Sequence, residues 1–212
     1  MSLADQLTER RTASAQNLPS DVHAAMMNAT KFLKESGIED AAPKAGEKLL
    51  SFELPNQNGD RRKLEDLLQN GPLVITFYRG GWCPYCNMEL RAFQLELDAI
   101  KAAGAGLVAI TPELPDASLS TTEKNELGFE VLSDVNSAYA RELGLVFTLA
   151  EELRPIYKSF GIEVEQHNGE GQFDLPLSAT FIVNSDGTIK SAFVDADYTY
   201  RQEPSEVVKA LG

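Results

Sequence analysis

The feature that most constrains this chain is a pair of cysteines placed between a buried strand and a helix. Cys83 and Cys86 are the only cysteines among its 212 residues. A nearly continuous apolar run, Leu73–Phe77, precedes them and predicts a central strand covered on both faces. From about residue 87 to 103, apolar residues recur on one helical face. The sequence therefore predicts strand, short loop, two cysteines and helix, which is the layout of a dithiol redox site.

Composition narrows the classes of function. The formal net charge is −13 at pH 7. This acidic balance disfavours binding to nucleic acids, whose protein partners are usually basic over the contact face, and to anionic membrane surfaces. No apolar run approaches the roughly 20 residues that a membrane-spanning helix needs, and the N-terminus lacks the pattern of a signal peptide. We therefore expect a cytoplasmic protein with no nucleic-acid or membrane partner.

Residues 1–40 are predicted to form a helical N-terminal extension with two helices. The first spans roughly Leu3 to Gln16, and Ser20 is a suitable N-cap for the second. Apolar residues recur at helical spacing on one face of the second helix: Val22, Met26, Ala29 and Leu33. This face needs a partner, and a homodimer is one way to cover it; packing on the main domain, expected over residues 41–212, is another.

The main domain is predicted to be α/β. Strand, helix and strand with short connections form a parallel crossover unit that ends in the buried strand Leu107–Ile110. Near the C-terminus, Ala179–Val183 and Ile189–Val194 are predicted to pair as an antiparallel hairpin. Between these parts, Gly161–Gly171 is predicted to be a loop or a weak ribbon, with His167 as a turn residue. The order predicts a mixed central sheet with helices on both faces.

This order of elements, with Trp82-Cys83-Pro84-Tyr85-Cys86 at the strand-to-helix junction, resembles the thioredoxin fold. It resembles more closely the peroxiredoxin branch of that fold, the AhpC/TSA superfamily, and in particular peroxiredoxin-like proteins that carry a thioredoxin-type CxxC motif. The resemblance covers roughly residues 44–194. Its specific parts are Phe77–Glu89, Leu132–Asp134 and Ala179–Gly187, and residues 197–201 are similar to the tail of that subgroup. It implies a thioredoxin-like fold and an antioxidant oxidoreductase with a redox-active disulfide.

The peroxiredoxin resemblance implies one alignment of the site. Cys86 takes the position of the peroxide-attacking cysteine, and Glu89 takes that of the family's acid. The family's Thr or Ser position falls on Cys83, and its Pro position falls on Arg79. The activating Arg of the family falls on Ser178, so this alignment retains the peroxidatic cysteine without its Arg.

The thioredoxin resemblance implies a second alignment. Trp82 and both cysteines match it directly, and the intervening Pro84-Tyr85 is the dipeptide that glutaredoxins carry. The cis-Pro of that fold also falls on Ser178, and Pro176, the nearest proline, is out of register. Ser178 therefore stands where peroxiredoxins have their activating Arg and where thioredoxins have their cis-Pro.

The residues themselves permit two orders of reaction. Because the thiolate is the reactive form of cysteine, a helix N-terminus, whose free N–H groups favour an anion, activates a thiol. In one order Cys83, expected to be the more exposed, attacks a substrate disulfide and Cys86 resolves the mixed disulfide. In the other, Cys86 attacks a peroxide and Cys83 condenses with the resulting sulfenic acid. Both orders end in the same Cys83–Cys86 disulfide.

Neighbouring residues have supporting roles in these hypotheses. Pro84 suits the first helical turn because it lacks an N–H. Trp82 shields one side of the site and Tyr85 tunes its access, while Gly80-Gly81 supplies backbone freedom or a simple turn. Arg79 is a candidate donor to the leaving oxygen of a peroxide, with a structural role as the alternative.

The predicted function is that of an oxidoreductase without cofactor or metal that reduces peroxides or disulfides. Its electron donor is expected to be a dithiol or a glutathione-type thiol. Zinc binding would require two ligands besides the thiolates, and the chain offers two distant histidines, His23 and His167, and ordinary carboxylates. The alternative is a non-catalytic thioredoxin-fold module for binding or redox sensing.

Overall fold

The computed structural model describes all 212 residues. Its α-helices are α1 (Leu3–Asn17), α2 (Ser20–Glu35), α3 (Leu64–Leu68), α4 (Pro84–Ala102), α5 (Pro115–Lys124), α6 (Ala138–Glu142), α7 (Arg154–Ser159), α8 (Val164–Asn168) and α9 (Pro204–Leu211). Its strands are β1 (Glu53–Pro55), β2 (Arg61–Lys63), β3 (Leu73–Phe77), β4 (Gly106–Thr111), β5 (Glu130–Ser133), β6 (Val146–Thr148), β7 (Asp174–Pro176), β8 (Ser178–Val183) and β9 (Ile189–Asp195). None of the helices is long and apolar enough to cross a bilayer.

Five strands form the central sheet in the order β5-β4-β3-β8-β9. β3, β4 and β5 run parallel, whereas β8 runs antiparallel to both β3 and β9. This is the predicted mixed sheet. All five residues of β3 are buried, as expected of a strand in the middle of the sheet. The loop that follows β3 therefore starts from the centre of the molecule.

Two apolar clusters pack on opposite faces of this sheet because side chains alternate along each strand. In β3, Leu73, Ile75 and Phe77 belong to one cluster and Val74 to the other. The second cluster contains the buried face of α4: Leu90, Phe93, Leu97 and Ile100. Burial of each such side chain stabilises the fold by about 1.5–3 kcal/mol. This packing fixes the N-terminal end of α4 against the end of β3.

The two N-terminal helices pack against the rest of the chain. Leu3 and Leu7 of α1 are buried in the cluster that also contains α4. The apolar face predicted for α2 is partly buried. Met26 and Ala29 pack against a third apolar cluster, formed by α7, α8, β7 and neighbouring residues. Leu33 packs against the cluster that contains Leu73, Ile75 and Phe77 of β3. The main domain of the same chain therefore covers this face. A homodimer and the division at residue 40 stay predictions.

Several short elements differ from the sequence prediction. Gly161–Gly171 contains α8, so the prediction of a loop or ribbon there was wrong. The antiparallel pair β6–β7 was not predicted. Pro155 lies in the first turn of α7, which follows directly on a 3₁₀ turn, Glu151–Leu153. Three-residue strands that pair across some 25 residues leave too little local periodicity to detect.

Candidate active site

The two cysteines lie where the β3–α4 loop enters α4. Cys83 is the N-cap residue of α4 and Cys86 lies in its first turn, with Pro84 at the start of the helix. Both are free thiols. Both have an exposed fraction of 0%, so the expectation that Cys83 is the more exposed was wrong. No group of three or more His, Cys, Asp or Glu residues is arranged to hold a metal ion.

One guanidinium contacts the sulfur of Cys83. Nη2 of Arg79 donates to Sγ of Cys83 at 3.1 Å, and its Nη1 donates to the hydroxyl of Tyr157 at 3.0 Å. The guanidinium carbon lies 3.7 Å from the ring centre of Tyr198 and 5.2 Å from that of Trp82. Arg79 is thus buried among a thiol, a hydroxyl and two rings, with no carboxylate in contact. This position brings Arg79 to the sulfur of Cys83, and the choice between its catalytic and structural roles stays a prediction.

A second guanidinium contacts the sulfur of Cys86. Nη2 of Arg201 donates to Sγ of Cys86 at 3.2 Å, and its Nε lies 2.8 Å from a carboxylate oxygen of Glu89. Its Nη1 donates to the hydroxyl of Ser178, the position where the peroxiredoxin alignment places the family's Arg. An arginine from the segment between β9 and α9 thus occupies the space beside Cys86.

Arg201 contacts the sulfur of Cys86, and the sequence interpretation did not single it out as a site residue. Only its membership of the segment 197–201, similar to the tail of the subgroup, pointed to it. Nothing in that segment indicates that an arginine 115 positions from Cys86 reaches its sulfur. The chain has Ser178 at the position of the family's Arg, and the guanidinium of Arg201 lies beside that serine and contacts Cys86.

Glu89 is a buried carboxyl within this arrangement. Thr76 donates to its Oε1 at 3.4 Å, and Thr180 donates to the hydroxyl of Thr76 at 3.2 Å. Burial raises the pKa of Glu89 to about 7, although the positive charge of Arg201 opposes the rise. Glu89 therefore changes protonation state near neutral pH, next to the arginine that contacts Cys86.

The two thiols differ in acidity. Burial alone would raise the pKa of Cys83, but its hydrogen bond with Cys86 and the charges of Arg79 and Arg201 hold that pKa well below its usual range. Burial and the neighbouring Cys83 sulfur raise the pKa of Cys86 well above its usual range. These shifts favour a negative charge on Cys83 over one on Cys86, and the N-cap position of Cys83 acts in the same direction.

Gly81, two residues before Cys83, is held by side chains on three sides. Its N–H donates to Oε1 of Glu113 at 3.0 Å, and its carbonyl accepts from Nδ2 of Asn87 at 2.7 Å. A Cβ at this position would collide with the hydroxyl of Thr121. We call Glu113, Asn87 and Thr121 the Gly81 clamp. The clamp fixes the loop for which the sequence had predicted freedom or a simple turn.

Glu113 is the most connected member of the Gly81 clamp. It is fully buried, and its carboxylate also accepts from the hydroxyl of Tyr78 at 3.3 Å. Nδ1 of His167, in α8, lies 3.1 Å from the same carboxylate. His167 lies inside α8, so the prediction of a turn residue was wrong, and it contacts the carboxylate that accepts from the N–H of Gly81.

Aromatic side chains complete the surroundings of the sulfurs. Trp82 packs edge-on against Tyr157 with ring centres 5.8 Å apart, and Tyr85 packs likewise against Tyr198 at 5.6 Å. The shielding of the site by Trp82 stays a prediction. Every peptide bond of the chain is trans, including those around Ser178.

Two grooves meet at Arg79, Tyr157 and Tyr198. The larger, about 830 Å³, lies between α1, α2 and the segment after β9, and Trp82, Pro84 and Tyr85 also line it. The smaller, about 640 Å³, lies between α2 and the region of β6 and α7. We call the larger one the arginine groove, because Arg10, Arg11 and Arg79 line it. His23 lines it as well.

Comparison with known proteins places the chain in a family. The model of the AhpC/TSA family matches residues 45–192. This chain belongs to the AhpC/TSA family. It is 26% identical over 152 residues to Peroxiredoxin Bcp of Escherichia coli (strain K12), which covers 72% of this chain and 86% of that protein.

Solved structures agree with this assignment at the level of the fold. The structure of Peroxidoxin BcpB from Mycobacterium tuberculosis superposes with a TM-score of 0.62 at 22% identity, over 79% of this chain and 96% of that chain. The structure of a mutant of the Peroxiredoxin 6 of Arenicola marina superposes with a TM-score of 0.65 at 18% identity, over 80% of this chain and 72% of that chain. The predicted family, the thioredoxin-like α/β fold and the class of function, a thiol-based oxidoreductase, are confirmed.

The family match does not include every part of the site. It begins after α1 and α2, and it ends nine residues before Arg201. The guanidinium at Cys86 and one side of the arginine groove therefore come from segments outside the residues that the AhpC/TSA family model matches.

Proposed function

We propose that this AhpC/TSA protein reduces peroxides with its Cys83–Cys86 dithiol, with Cys83 as the first nucleophile and Cys86 as the resolving thiol. The observation that carries the proposal is that each buried sulfur has its own arginine, Arg79 at 3.1 Å and Arg201 at 3.2 Å. A paired guanidinium stabilises the anion that each sulfur becomes during the cycle.

The first nucleophile follows from acidity and position. Cys83 is the N-cap of α4, where unpaired backbone N–H groups favour an anion. Its pKa is held well below the usual range by Cys86 and the two arginines, which together outweigh burial. Burial and the neighbouring Cys83 sulfur raise the pKa of Cys86 well above its usual range, which disfavours its thiolate. Cys83 is therefore the sulfur that is ionised and ready to attack.

The cycle balances with one peroxide and two thiols. The Cys83 thiolate attacks one peroxide oxygen, the O–O bond breaks, and the alcohol or water leaves with a proton taken from solvent. Guanidinium N–H groups of Arg79 stabilise the negative charge that grows on the leaving oxygen. Cys86 then attacks the sulfenic acid of Cys83, water leaves, and the disulfide forms. One external dithiol, or two molecules of a glutathione-type thiol, then return two electrons and reduce the disulfide, and the donor itself becomes a disulfide.

A second order of attack is favoured by a different observation. Arg201 contacts both Cys86 and Glu89, the two residues that the peroxiredoxin alignment makes the attacking cysteine and the family's acid. In this order the Cys86 thiolate attacks the peroxide and Cys83 resolves. The products are the same, so only the identity of the sulfenic acid distinguishes the two orders. A disulfide substrate would react by attack of Cys83, as the thioredoxin alignment implies.

Serine variants of the two cysteines test the proposal. Cys86→Ser is expected to consume one equivalent of hydrogen peroxide and to accumulate a sulfenic acid on Cys83, trapped with dimedone and located by mass spectrometry. Cys83→Ser is expected to lose the fast reaction with peroxide. Wild type should form the intramolecular disulfide, with no dimedone adduct at equilibrium.

The opposite pattern, a trapped Cys86 in Cys83→Ser and no reaction in Cys86→Ser, would establish the second order of attack. Unchanged free thiols in wild type after one equivalent of peroxide would reject the peroxidase function. Reduction of insulin disulfides, measured in parallel, decides whether disulfides are substrates as well.

A further inference from the structure

The arginine groove carries more positive charge than its surroundings explain. Arg10, Arg11 and Arg79 line it, and Asp197 is the one carboxylate among its lining residues. That carboxylate already accepts from the N–H of Thr199 at 2.9 Å and from its hydroxyl at 2.7 Å. The smaller groove, by contrast, is lined by Arg79 and Glu152, one charge of each sign. In a chain of net charge −13, this concentration of arginines points to an anionic occupant.

Two of these arginines come from α1 and have no carboxylate partner. Arg10 is exposed, and its side chain makes no hydrogen bond or ion pair. Arg11 donates to the carbonyl of Thr199 at 2.9 Å and lies 4.4 Å from the ring centre of Tyr200. These contacts hold the Arg11 guanidinium in place at the groove while its charge stays uncompensated.

The groove connects to the dithiol through Arg79, which lines it and also donates to Sγ of Cys83. Its volume of about 830 Å³ lies within the range of roughly 300–1,000 Å³ that is typical of small-molecule sites. A hydrogen peroxide molecule needs only a small part of that space. α1 and α2 line this approach to Arg79, and a groove of this size suits a small molecule better than the surface of a folded protein.

We propose that the arginine groove binds the reductant, and that this reductant is a small thiol carrying carboxylates, not a folded dithiol protein. The proposal rests on the dithiol cycle above, to which it adds the class of electron donor. Arg10 and Arg11 are then specificity-determining residues supplied by the N-terminal extension.

The reduction uses two molecules of the small thiol. The thiolate of the first attacks Sγ of Cys83, the Cys83–Cys86 bond breaks, and Cys86 leaves as a thiolate that takes up a proton. The second thiolate attacks the donor sulfur of the mixed disulfide and releases the Cys83 thiolate. Two donor thiols become one disulfide, and the two electrons they lose reduce the protein disulfide.

The test compares donors that differ in charge. The Cys83–Cys86 disulfide is prepared with diamide, and its reduction is followed by stopped flow with glutathione, with cysteamine and with thioredoxin. The variants are Arg10→Glu and, as a matched control, Lys101→Glu, which makes the same change of charge at an exposed site of α4 outside the groove. In Arg10→Glu, the rate of disulfide reduction by glutathione is expected to fall by about fivefold, the upper range for one exposed charge pair. This difference in rate should become smaller at high salt, which screens the charges.

Cysteamine is a small thiol with an amine and no carboxylate, so Arg10→Glu is expected not to lower the rate at which it reduces the disulfide. Lys101→Glu should be reduced at the wild-type rate by every donor. Thioredoxin is expected to reduce wild type with a smaller second-order rate constant than glutathione. Equal slowing of glutathione and cysteamine, or reduction by thioredoxin faster than by glutathione, would overturn the proposal. Because diamide makes the disulfide, a failure of peroxide to oxidise the protein would count against the proposed function alone.

Discussion

At the scale of single residues, the two arginines of the site differ in what else they contact. Arg79 has a hydroxyl and two rings as neighbours, whereas Arg201 forms an ion pair with Glu89 at 2.8 Å. The charge beside Cys86 therefore depends on the protonation of Glu89. The charge beside Cys83 does not have such a partner. Protonation of Glu89 therefore changes the charge balance nearest Cys86, and it also acts on Cys83, whose pKa the charge of Arg201 helps to lower.

The raised pKa of Glu89 predicts how stability depends on pH. Its folded pKa of about 7 lies above the ordinary 4.5, so the folded state holds this proton more tightly than the unfolded chain. The contribution of Glu89 to the free energy of unfolding therefore falls as pH rises from 4.5 to about 7, by on the order of 3 kcal/mol, and is constant above. Glu89→Gln cannot ionise and should remove this slope.

Urea unfolding of the reduced protein at a series of pH values measures the effect. The stability of Glu89→Gln relative to wild type should increase across that window. Glu123→Gln, at an exposed position of α5, is the control and should keep the wild-type slope. A parallel pH dependence in wild type and Glu89→Gln would show that Glu89 is not the group responsible.

At the scale of elements, the Gly81 clamp joins the β3–α4 loop to α4, to α5 and to the end of β4. Loss of Glu113 would leave the Gly81 N–H without its acceptor. Glu113→Ala is therefore expected to raise the pKa of Cys83 and to slow its alkylation by several fold, because the N-cap geometry loosens. Glu113→Gln keeps an acceptor oxygen and should restore most of the wild-type behaviour.

Iodoacetamide reactivity of the Cys86→Ser background, measured against pH, reports on the thiol of Cys83 alone. A purely structural role of Glu113 would lower the melting temperature of Glu113→Ala and leave this profile unchanged. That result would remove Glu113 from the positioning of the cysteines and leave it as a stabilising residue.

Elements with strong local patterns are the ones that the sequence predicted well. β3 is an uninterrupted apolar run and α4 repeats its apolar residues at helical spacing, so their order around the cysteines follows from periodicity. Arg201, Tyr157 and Glu113 reach the site through the packing of distant segments. Contacts between side chains more than 30 residues apart in the chain leave no periodic pattern in the sequence. These residues could therefore not be predicted from one sequence.

At the scale of the whole molecule, the first and last helices meet near the site. The carboxylate of Glu203, just before α9, accepts from the N–H groups of Leu3 and Ala4 at 3.3 and 3.0 Å. A carboxylate at a helix N-terminus stabilises it through both hydrogen bonds and the helix dipole. The position of α1, and so of Arg10 and Arg11, depends on a residue close to Arg201.

Glu203→Ala is expected to weaken the docking of α1 by about 1 kcal/mol, the usual cost of losing an N-terminal cap. Hydrogen exchange of the amides of residues 3–17 should then become several-fold faster, while exchange in β3 stays unchanged. Glu206→Ala, which removes an exposed carboxylate of α9 paired with Lys209, is the control. Equal exchange of α1 in both variants would show that Leu3 and Leu7 alone hold the helix.

The position of Arg201 has a practical consequence for anyone who works with such chains as fragments. A fragment trimmed to the family boundaries, residues 45–192, would contain both cysteines and all five strands of the central sheet apart from the last residues of β9. It would lack the cation beside Cys86, and Glu89 would be a buried carboxylate with no counterion. Such a fragment would pass a motif search as complete while missing one of the two arginines that contact the sulfurs. The unit that sets the acidity of the two thiols is therefore longer than the domain that a family search recognises.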